Sequence, residues 1–265
     1  MTGHDLRGSG LTVRYDDREV LHDLDVQIHE GAITVIVGAN ACGKSTMLRT
    51  LARLLRPADG VVSLDGRDVR EYGGREFART VGLLPQQPIA PEGITVEDLV
   101  GRGRYPRQGM FGQRTAADVA AVRAALEETD TASLATRRVD ELSGGQRQRA
   151  WIAMALAQET DILLLDEPTT FLDVTHQVEV LDLLTALNRR DGTTIVMVLH
   201  ELNLAARYAD HLVVMASGRI LAEGSPAEVI TPETVREAFA LESLVVDDPV
   251  CGSPMVVPMG RFHSA

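Results

Sequence analysis

Nine residues, Gly38-Ala39-Asn40-Ala41-Cys42-Gly43-Lys44-Ser45-Thr46, separate the apolar run Ile33–Val37 from a helix-forming run, Met47–Leu55. They fit the pattern G-x-x-x-x-G-K-[ST] in a strand, loop and helix order. Backbone N–H groups and the positive end of a helix attract phosphate oxygens in such a loop. The segment therefore predicts a loop that binds the phosphates of a nucleotide.

The loop contains the only lysine among 26 basic residues, Lys44. A compact ammonium and a planar guanidinium are not interchangeable where a point charge must fit among phosphate oxygens. We therefore expect Lys44 to reach the β and γ phosphates and Ser45 to ligate Mg²⁺. The predicted nucleotide-binding residues of the loop are Gly38, Asn40, Gly43, Lys44, Ser45 and Thr46.

Composition narrows the class of protein. The chain has 265 residues and a net charge of −12, which disfavours nucleic acid as a partner because such binding depends on basic surfaces. The two cysteines, Cys42 and Cys251, form no disulfide or zinc pattern. The first ten residues do not resemble a signal peptide, and no apolar run reaches the roughly 20 residues of a membrane span.

Short apolar runs alternate with helix-like stretches, which is typical of a mostly parallel sheet flanked by helices. The runs at Ile33, Ile162 and Thr194 are apolar on both faces and are predicted to be central, buried strands. Antiparallel pairing is predicted for the first two strands and for Val61–Leu64. The predicted strands are Leu11–Tyr15, Leu24–Ile28, Ile33–Val37, Val61–Leu64, Val81–Leu84, Ile162–Leu165, Thr194–Leu199 and Leu212–Met215.

A second motif is the apolar run Ile162–Leu165 followed by Asp166 and Glu167. An apolar strand that ends in acidic residues is common, and by itself it indicates only a strand running out into solvent. Because a phosphate loop precedes this strand in the chain, we interpret Asp166 and Glu167 as functional residues. We expect Asp166 to hold Mg²⁺ through water and Glu167 to act as the general base that accepts a proton from the attacking water.

A third motif is Leu142-Ser143-Gly144-Gly145-Gln146, which opens the predicted helix Gly144–Gln158. Ser143 and Gln146 have the spacing of a capping box, which is the purely structural interpretation. Two glycines in a first turn nevertheless weaken a helix by roughly 1 kcal/mol each. The presence of Gly144 and Gly145 in spite of this cost indicates that the backbone approaches a ligand closely here. Leu142–Gln146 matches the signature motif of ATP-binding-cassette proteins, and with these motifs the chain resembles that family from about Leu11 to Val229.

The resemblance implies a fold and a domain organisation. The class is α/β: a P-loop NTPase core of the RecA type with an antiparallel β subdomain and an inserted α-helical subdomain. The whole chain, 1–265, is expected to form one such ATPase domain. Its core and β subdomain would cover 11–85 and 159–230, its helical subdomain 86–158 with the signature, and its C-terminal helix and tail 231–265. The helix Glu233–Ala240 is predicted in the last part, and the residues after it stay unassigned.

The resemblance also implies pairing. Two such chains would associate head to tail, so that Ser143, Gly145 and Gln146 of one copy close on the ATP held by the other. Asp173 matches the loop that crosses the dimer interface. The cofactors implied are ATP and Mg²⁺.

Single residues take implied roles of lower specificity. Tyr15 matches the aromatic residue that stacks on adenine, although a strand tyrosine can instead pack on the core. Gln86 matches the glutamine that touches Mg²⁺ and the attacking water and senses the membrane subunit; Gln87 beside it leaves the register open. His200 matches the histidine that contacts the γ-phosphate and orients the water, whereas a lone histidine is more often structural.

Two loop positions depart from the family pattern. Ala39 and Ala41 stand where proline and glycine are usual. Since alanine disfavours positive φ, Ala41 must either keep a negative φ or bear strain. We expect an altered nucleotide affinity at most.

The segment Val96–Pro106, with Glu167–Asp173, resembles importers of iron(III)–siderophore complexes of the ferric enterobactin and ferric hydroxamate type. Such a subunit would lie at the cytoplasmic face of the inner membrane, on a separate transmembrane permease fed by an extracytoplasmic siderophore-binding protein. Arg102, Arg104 and Arg107 either belong to the docking surface for the permease or form a solvated basic face. Haem or cobalamin import, a soluble cassette ATPase of DNA repair or translation, and a small-molecule kinase are the alternatives.

Overall fold

The computed structural model describes residues 3–109 and 114–260. The chain forms two compact units: unit one runs up to Glu71 and resumes at Thr194, and unit two is Tyr72–Thr193. Residues 110–113 of the predicted helical subdomain and 261–265 of the predicted tail lie outside the described residues. The subdomain boundaries inferred from the sequence stay a prediction.

Unit one contains an antiparallel sheet with the strand order β2-β1-β4-β5. Strand β1 pairs antiparallel with both β2 and β4, and Asp65-Gly66 joins β4 to β5. The antiparallel pairing predicted for these strands is therefore confirmed, although the first two strands begin earlier than expected. The bounds are Leu6–Tyr15 for β1, Arg18–Ile28 for β2, Asp59–Leu64 for β4 and Arg67–Asp68 for β5.

A second sheet in unit one has β3 at its centre, with the order β10-β9-β3-β8. Strand β3 pairs in parallel with β8 on one side and with β9 on the other, and every residue of β3 and β8 is buried. This burial confirms the prediction that these runs are central. The bounds are Ile33–Gly38 for β3, Thr194–Val198 for β8, His211–Ala216 for β9 and Arg219–Gly224 for β10.

The first helix of unit one, α1, begins at Lys44 and ends at Leu51, earlier at both ends than the predicted run. It ends there because Arg53 adopts a left-handed φ of 60° and the N–H groups of Leu54 and Leu55 both turn back to the Arg49 carbonyl. The other helices of unit one are α7, Leu202–Tyr208, α8, Pro226–Val229, and α9, Pro232–Phe239.

The tail that the sequence left unassigned forms a β-hairpin. Strand β11, Ser243–Asp247, pairs antiparallel with β12, Pro254–Pro258. The hairpin belongs to unit one, where β12 contacts α7 and β11 contacts α9. Residues 243–258 of the tail are therefore part of this unit.

Unit two contains a parallel strand pair and a group of helices. Strand β6, Val81–Leu84, pairs with β7, Ile162–Asp166, and β7 is wholly buried. Helices α3, α4 and α5 contact one another. Within the described residues, no helix has the length and apolar character needed to cross a membrane. The helices are α2, Gly74–Thr80, α3, Val96–Arg102, α4, Ala116–Glu128, α5, Gly144–Leu156, and α6, Val174–Asp191.

The two alternatives given for Arg104, a docking surface for the permease or a solvated basic face, both require an exposed side chain, and for this residue both are wrong. Arg104 is only 4% exposed, and it donates hydrogen bonds to Asp118 Oδ1 (3.0 Å), the Ala157 carbonyl (2.8 Å) and Glu159 Oε2 (2.6 Å). The N–H of Thr115 and the Arg104 guanidinium together lower the pKa of Asp118. Arg104 therefore joins the ends of α3, α4 and α5 inside unit two, whereas Arg102 remains exposed.

We expect Arg104→Met to destabilise the protein by about 3 kcal/mol, because it leaves the buried Asp118 carboxylate without its charged partner. The matched control, Arg102→Met, changes an exposed arginine of α3 and should shift stability by less than about 0.5 kcal/mol. Urea denaturation of both variants measures the difference. Equal stabilities would contradict the structural role assigned to Arg104.

Candidate nucleotide-binding and hydrolysis site

The predicted phosphate loop lies between the carboxyl end of β3 and the first residue of α1. Gly38 and Gly43 adopt φ values of 154° and 109°. A Cβ at Gly38 would come within 2.3 Å of the Met215 carbonyl oxygen, and one at Gly43 within 2.8 Å of Leu21. Glycine is therefore required at both positions for the loop to pass close to its neighbours.

Lys44 is buried inside this loop, with 5% exposure. Its ammonium donates to the carbonyl oxygens of Gly38 (2.8 Å) and Ala39 (3.0 Å). The Lys44 ammonium thus lies beside the start of α1, where backbone N–H groups already favour anions. Both features favour the binding of phosphate. Ser45 and the buried Thr46 follow in the first turn of α1, and Asn40 lies exposed in the loop.

Cys42 is a buried free thiol in the same loop. Burial raises the pKa of this thiol. The side chain therefore stays neutral and adds no negative charge beside bound phosphates.

Ala41 takes the strained alternative. Its φ is 61°, in the left-handed region, where a Cβ costs roughly 1–2 kcal/mol. Ala39 is not among the left-handed residues. The two alanines that depart from the family pattern are therefore not equivalent.

We expect Ala41→Gly to stabilise the protein by about 1 kcal/mol, since glycine adopts positive φ without strain. Ala39→Gly is the matched control and should destabilise it by about 0.5 kcal/mol, because glycine there only adds freedom to the unfolded chain. Midpoints of urea denaturation give both signs. Shifts in the same direction would refute the assignment of strain to Ala41.

A cavity of about 370 Å³ lies beside the phosphate loop in unit one. Loop residues 39–42 form one wall, and Arg18, Val20, Ser217 and Glu237 contribute to the others. Its volume falls in the range of small-molecule sites. The sequence reasoning missed Arg18, Val20, Ser217 and Glu237. A signal for Arg18 was its position three residues after Tyr15, which it faces across the β1–β2 turn.

Two further predicted residues of unit one lie on its surface. Tyr15 is the last residue of β1, and it is 43% exposed. This exposure disfavours the alternative that the ring packs on the core. His200 is exposed between the end of β8 and the start of α7. Both side chains are accessible to a ligand.

Glu167 is the best-defined catalytic candidate in unit two. It follows β7, is 7% exposed and adopts a left-handed φ of 56°, a strained conformation that needs support from its surroundings. Gln86 Nε2 donates to Glu167 Oε2 at 2.7 Å, and Thr170 Oγ1 donates to the same oxygen at 3.1 Å. Two donors thus orient one buried carboxylate.

The contact to Glu167 bears on the register of the two glutamines. Gln86 makes it, whereas Gln87 is exposed. A carboxylate can only accept, so the nitrogen of the Gln86 amide must face Glu167 and its oxygen points elsewhere. This arrangement favours Gln86 over Gln87 as the site residue.

The oxygen donors at the end of β7 suit a magnesium ion. Mg²⁺ prefers carboxylate, hydroxyl and amide oxygens. Asp166, the last residue of β7, is 1% exposed, and the amide oxygen of Gln86 is directed away from Glu167. The residues of unit two therefore fit the ion that the sequence predicts.

The signature residues form the start of α5. Ser143 is its N-cap, and the Ser143 and Gln146 side chains each accept a hydrogen bond from the backbone N–H of the other, at 3.3 and 3.2 Å. The capping box is thus present. It does not explain the glycines, because among the described residues a Cβ on Gly145 would meet Leu172 at an ordinary 3.4 Å and one on Gly144 would meet nothing closer than 3.9 Å.

The segment after Glu167 carries Asp173, which caps α6. Asp173 Oδ1 accepts from the backbone N–H of His176 at 2.9 Å, and this contact lowers the pKa of Asp173. Phe171 and Val174 on either side are 80% and 73% exposed. Large apolar side chains at this exposure are suited to an interface. Sequence reasoning missed both residues and the role of Thr170.

Comparison with known proteins places the chain in a family. A family model described as ABC transporter matches residues 21–170. The ferric enterobactin transport ATP-binding protein of Escherichia coli (strain K12) is 52% identical over 256 residues, which cover 97% of this chain and 94% of that protein. The iron(3+)-hydroxamate import ATP-binding protein of Bacillus subtilis (strain 168) is 45% identical over 245 residues, which cover 92% and 91%.

A solved structure agrees with these relatives. A chain of a metal-chelate type ABC transporter in an inward-facing conformation matches with a TM-score of 0.84 and 28% identity, over 98% of this chain and 99% of that one. The regions matched by the family model, the relatives and the solved structure include the phosphate loop, the acidic end of β7 and the signature. This chain therefore belongs to the ABC transporter family, as one of its ATP-binding subunits.

Proposed function

We propose that the chain binds and hydrolyses ATP as one of two identical subunits, and that the pair powers import of iron(III)–siderophore complexes through a separate transmembrane permease. The observation that carries the hydrolytic part is Glu167, held buried at the end of β7 by Gln86 and Thr170. The ferric-chelate substrate is supported by the names of the relatives. Docking on the permease would place the chain at the cytoplasmic face of the inner membrane, peripherally.

In the proposed reaction, the phosphate loop binds the triphosphate through its backbone N–H groups and the Lys44 ammonium. Lys44 leaves the carbonyls of Gly38 and Ala39 for the β and γ phosphates. Tyr15 stacks on the adenine. Gly38, Asn40, Gly43 and Thr46 shape the loop around the phosphates.

Glu167 accepts the proton of the attacking water. The Gln86 amide and the Thr170 hydroxyl fix the carboxylate through Oε2, and the His200 imidazole would orient a water held by the other carboxylate oxygen. Asp166, Ser45 and the Gln86 amide oxygen would hold Mg²⁺. When bound, that ion would neutralise charge on the β and γ phosphate oxygens.

The signature residues serve a second copy of the chain. Ser143, Gly145 and Gln146 would close on the ATP bound by the partner, and Asp173 would cross the same interface. Gly144 and Gly145, where a Cβ would make only ordinary contacts with the described residues, and the exposed Phe171 nearby support this pairing. Closure on ATP and reopening after hydrolysis would be a population shift driven by the higher affinity of the closed pair for ATP.

Gly145→Ala tests the pairing. We expect stability to be unchanged or up to about 1 kcal/mol higher, because alanine favours a helix. We expect hydrolysis to fall by at least about tenfold, because the added methyl group keeps the partner's nucleotide away from the helix start. Thermal unfolding and ATPase assays of the same preparation measure the two effects.

Gly74→Ala is the matched control for Gly145→Ala. Gly74 is the first residue of α2, and a Cβ there would meet no atom of the part of the chain that the structure describes within 4 Å. This variant should gain similar stability and keep full activity. Full activity in Gly145→Ala would remove Gly145 from the proposed site.

The import function is tested by deleting the gene and measuring uptake of radiolabelled ferric siderophores, with haem and cobalamin as parallel substrates. We expect ferric uptake to fall to background and to return when the wild-type gene, but not a Glu167→Gln gene, is supplied. Loss of haem or cobalamin uptake alone would replace the substrate class. Unchanged uptake of all three would overturn the import proposal.

A further inference from the structure

The C-terminal hairpin is fixed to the helix that follows His200. Helix α7 begins at Leu202, two residues after His200, and has only seven residues. Two helical turns are too few to hold an orientation on their own. The position of α7 therefore depends on what it packs against, and its neighbours in unit one include β3 and β12.

The first attachment is Asn203, in the first turn of α7. Its side-chain nitrogen donates to the Val256 carbonyl at 3.2 Å, and its side-chain oxygen accepts from the Val256 N–H at 2.8 Å. The amide thus bonds to β12 as a neighbouring strand would. An amide one carbon from the backbone supplies a donor and an acceptor at this reach; aspartate would keep only the acceptor.

The second attachment is Arg207, in the last turn of α7. Its guanidinium lies 2.6 Å from Oδ2 of Asp248, which is only 4% exposed. The other carboxylate oxygen of Asp248 accepts from the Val250 N–H at 2.8 Å and so shapes the turn between β11 and β12. The Arg207 guanidinium lowers the pKa of Asp248, which keeps the carboxylate charged.

We propose that Asn203 and Arg207 are positioning residues for hydrolysis: by clamping both ends of α7 to the C-terminal hairpin, they hold His200 where it can orient the attacking water. This inference rests on the role of His200 in the proposed function. It assigns a function to the C-terminal hairpin, which provides the surface against which α7 is fixed. Loosening the clamp should displace His200 and leave nucleotide binding intact.

The test uses the full chain with Asn203→Ala, Arg207→Met and the conservative form Arg207→Lys. The matched control is Arg236→Met, which breaks an equally short pair with Glu242 (2.6 Å) that does not involve α7. Steady-state kinetics give kcat and KM for ATP. The seven histidines are labelled for NMR, and the His200 imidazole signal is assigned by its loss in His200→Ala.

We expect Asn203→Ala and Arg207→Met to lower kcat by about tenfold, with KM within about twofold, since small misplacements of a catalytic group are costly. The His200 signal should shift in both variants, should return toward its wild-type position in Arg207→Lys, and should stay in place in Arg236→Met. In a His200→Ala background the same substitutions should cause little further loss, because they act through that residue.

Two failures are distinguishable. If His200→Ala keeps full kcat, the proposed role of His200 fails, and this inference falls with it. If His200→Ala is impaired while Asn203→Ala and Arg207→Met keep wild-type kcat and an unshifted His200 signal, only the inference is overturned. Should Arg207→Met fail to fold, Asn203→Ala decides by the same kinetics and the same signal.

Discussion

Lys44→Ala will lose ATP hydrolysis, with kcat falling by about 10³-fold, because the phosphate loop loses the charge that stabilises the transferred phosphoryl group. The ammonium already lies inside the loop, on the carbonyls of Gly38 and Ala39. The fold should survive, since the backbone of the loop is set by Gly38 and Gly43. ATPase assays beside thermal unfolding separate the two effects.

Lys44→Arg is the control that isolates geometry from charge. Arginine occupies 25 of the 26 basic positions of this chain, yet a guanidinium is larger and planar. At a position with 5% exposure, we expect Lys44→Arg to be nearly as inactive as Lys44→Ala. Wild-type turnover in either variant would contradict the assignment of Lys44 to the phosphates.

Glu167→Gln will bind ATP with nearly unchanged affinity and lose turnover by about 10²–10⁴-fold, the range that general base catalysis contributes. Glutamine keeps the shape of the side chain and can still accept from Gln86 and Thr170, but it cannot take a proton from water. Without hydrolysis the ATP-bound pair should persist. Size-exclusion chromatography with ATP should therefore show a stable dimer.

A control and a counter-result accompany this second prediction. Glu159→Gln alters a carboxylate that contacts Arg104 and precedes the start of β7, whereas Glu167 follows its end, and it should keep wild-type turnover. Near-normal hydrolysis by Glu167→Gln would remove Glu167 as the base. It would leave the phosphate loop assignment standing.

Local patterns in the sequence were sufficient for much of the fold. Strands β3, β7 and β8 were predicted because each is apolar on both faces, and each is buried in the structure. The phosphate loop and the start of α5 were equally local, since glycines and capping residues determine them over a few positions.

Contacts between distant residues explain what the sequence did not reveal. Arg104 was expected on the surface because its partners, Asp118 and the Ala157 carbonyl, lie far along the chain. The hairpin β11–β12 was missed because its attachments to α7, through Asn203 and Arg207, span more than 40 residues. The positive φ of Ala41 was left open, since alanine by itself favours the opposite sign.

The proposed pairing of two chains around each ATP makes the most demanding prediction. Lys44→Ala inactivates the phosphate loop of its own chain, and Gly145→Ala inactivates the signature that its chain offers to a partner. In a mixed dimer of the two variants, one site joins an intact loop to an intact signature, and the other site carries both changes. The two inactive chains should therefore restore activity to each other.

The decisive measurement is the ATPase rate of Lys44→Ala and Gly145→Ala chains co-expressed in equal amounts, beside each variant alone. Random pairing makes half of the dimers mixed, with one intact site in two, so we predict recovery to about a quarter of the wild-type rate. A mixture no more active than its inactive components would contradict a site completed by a second copy of this chain.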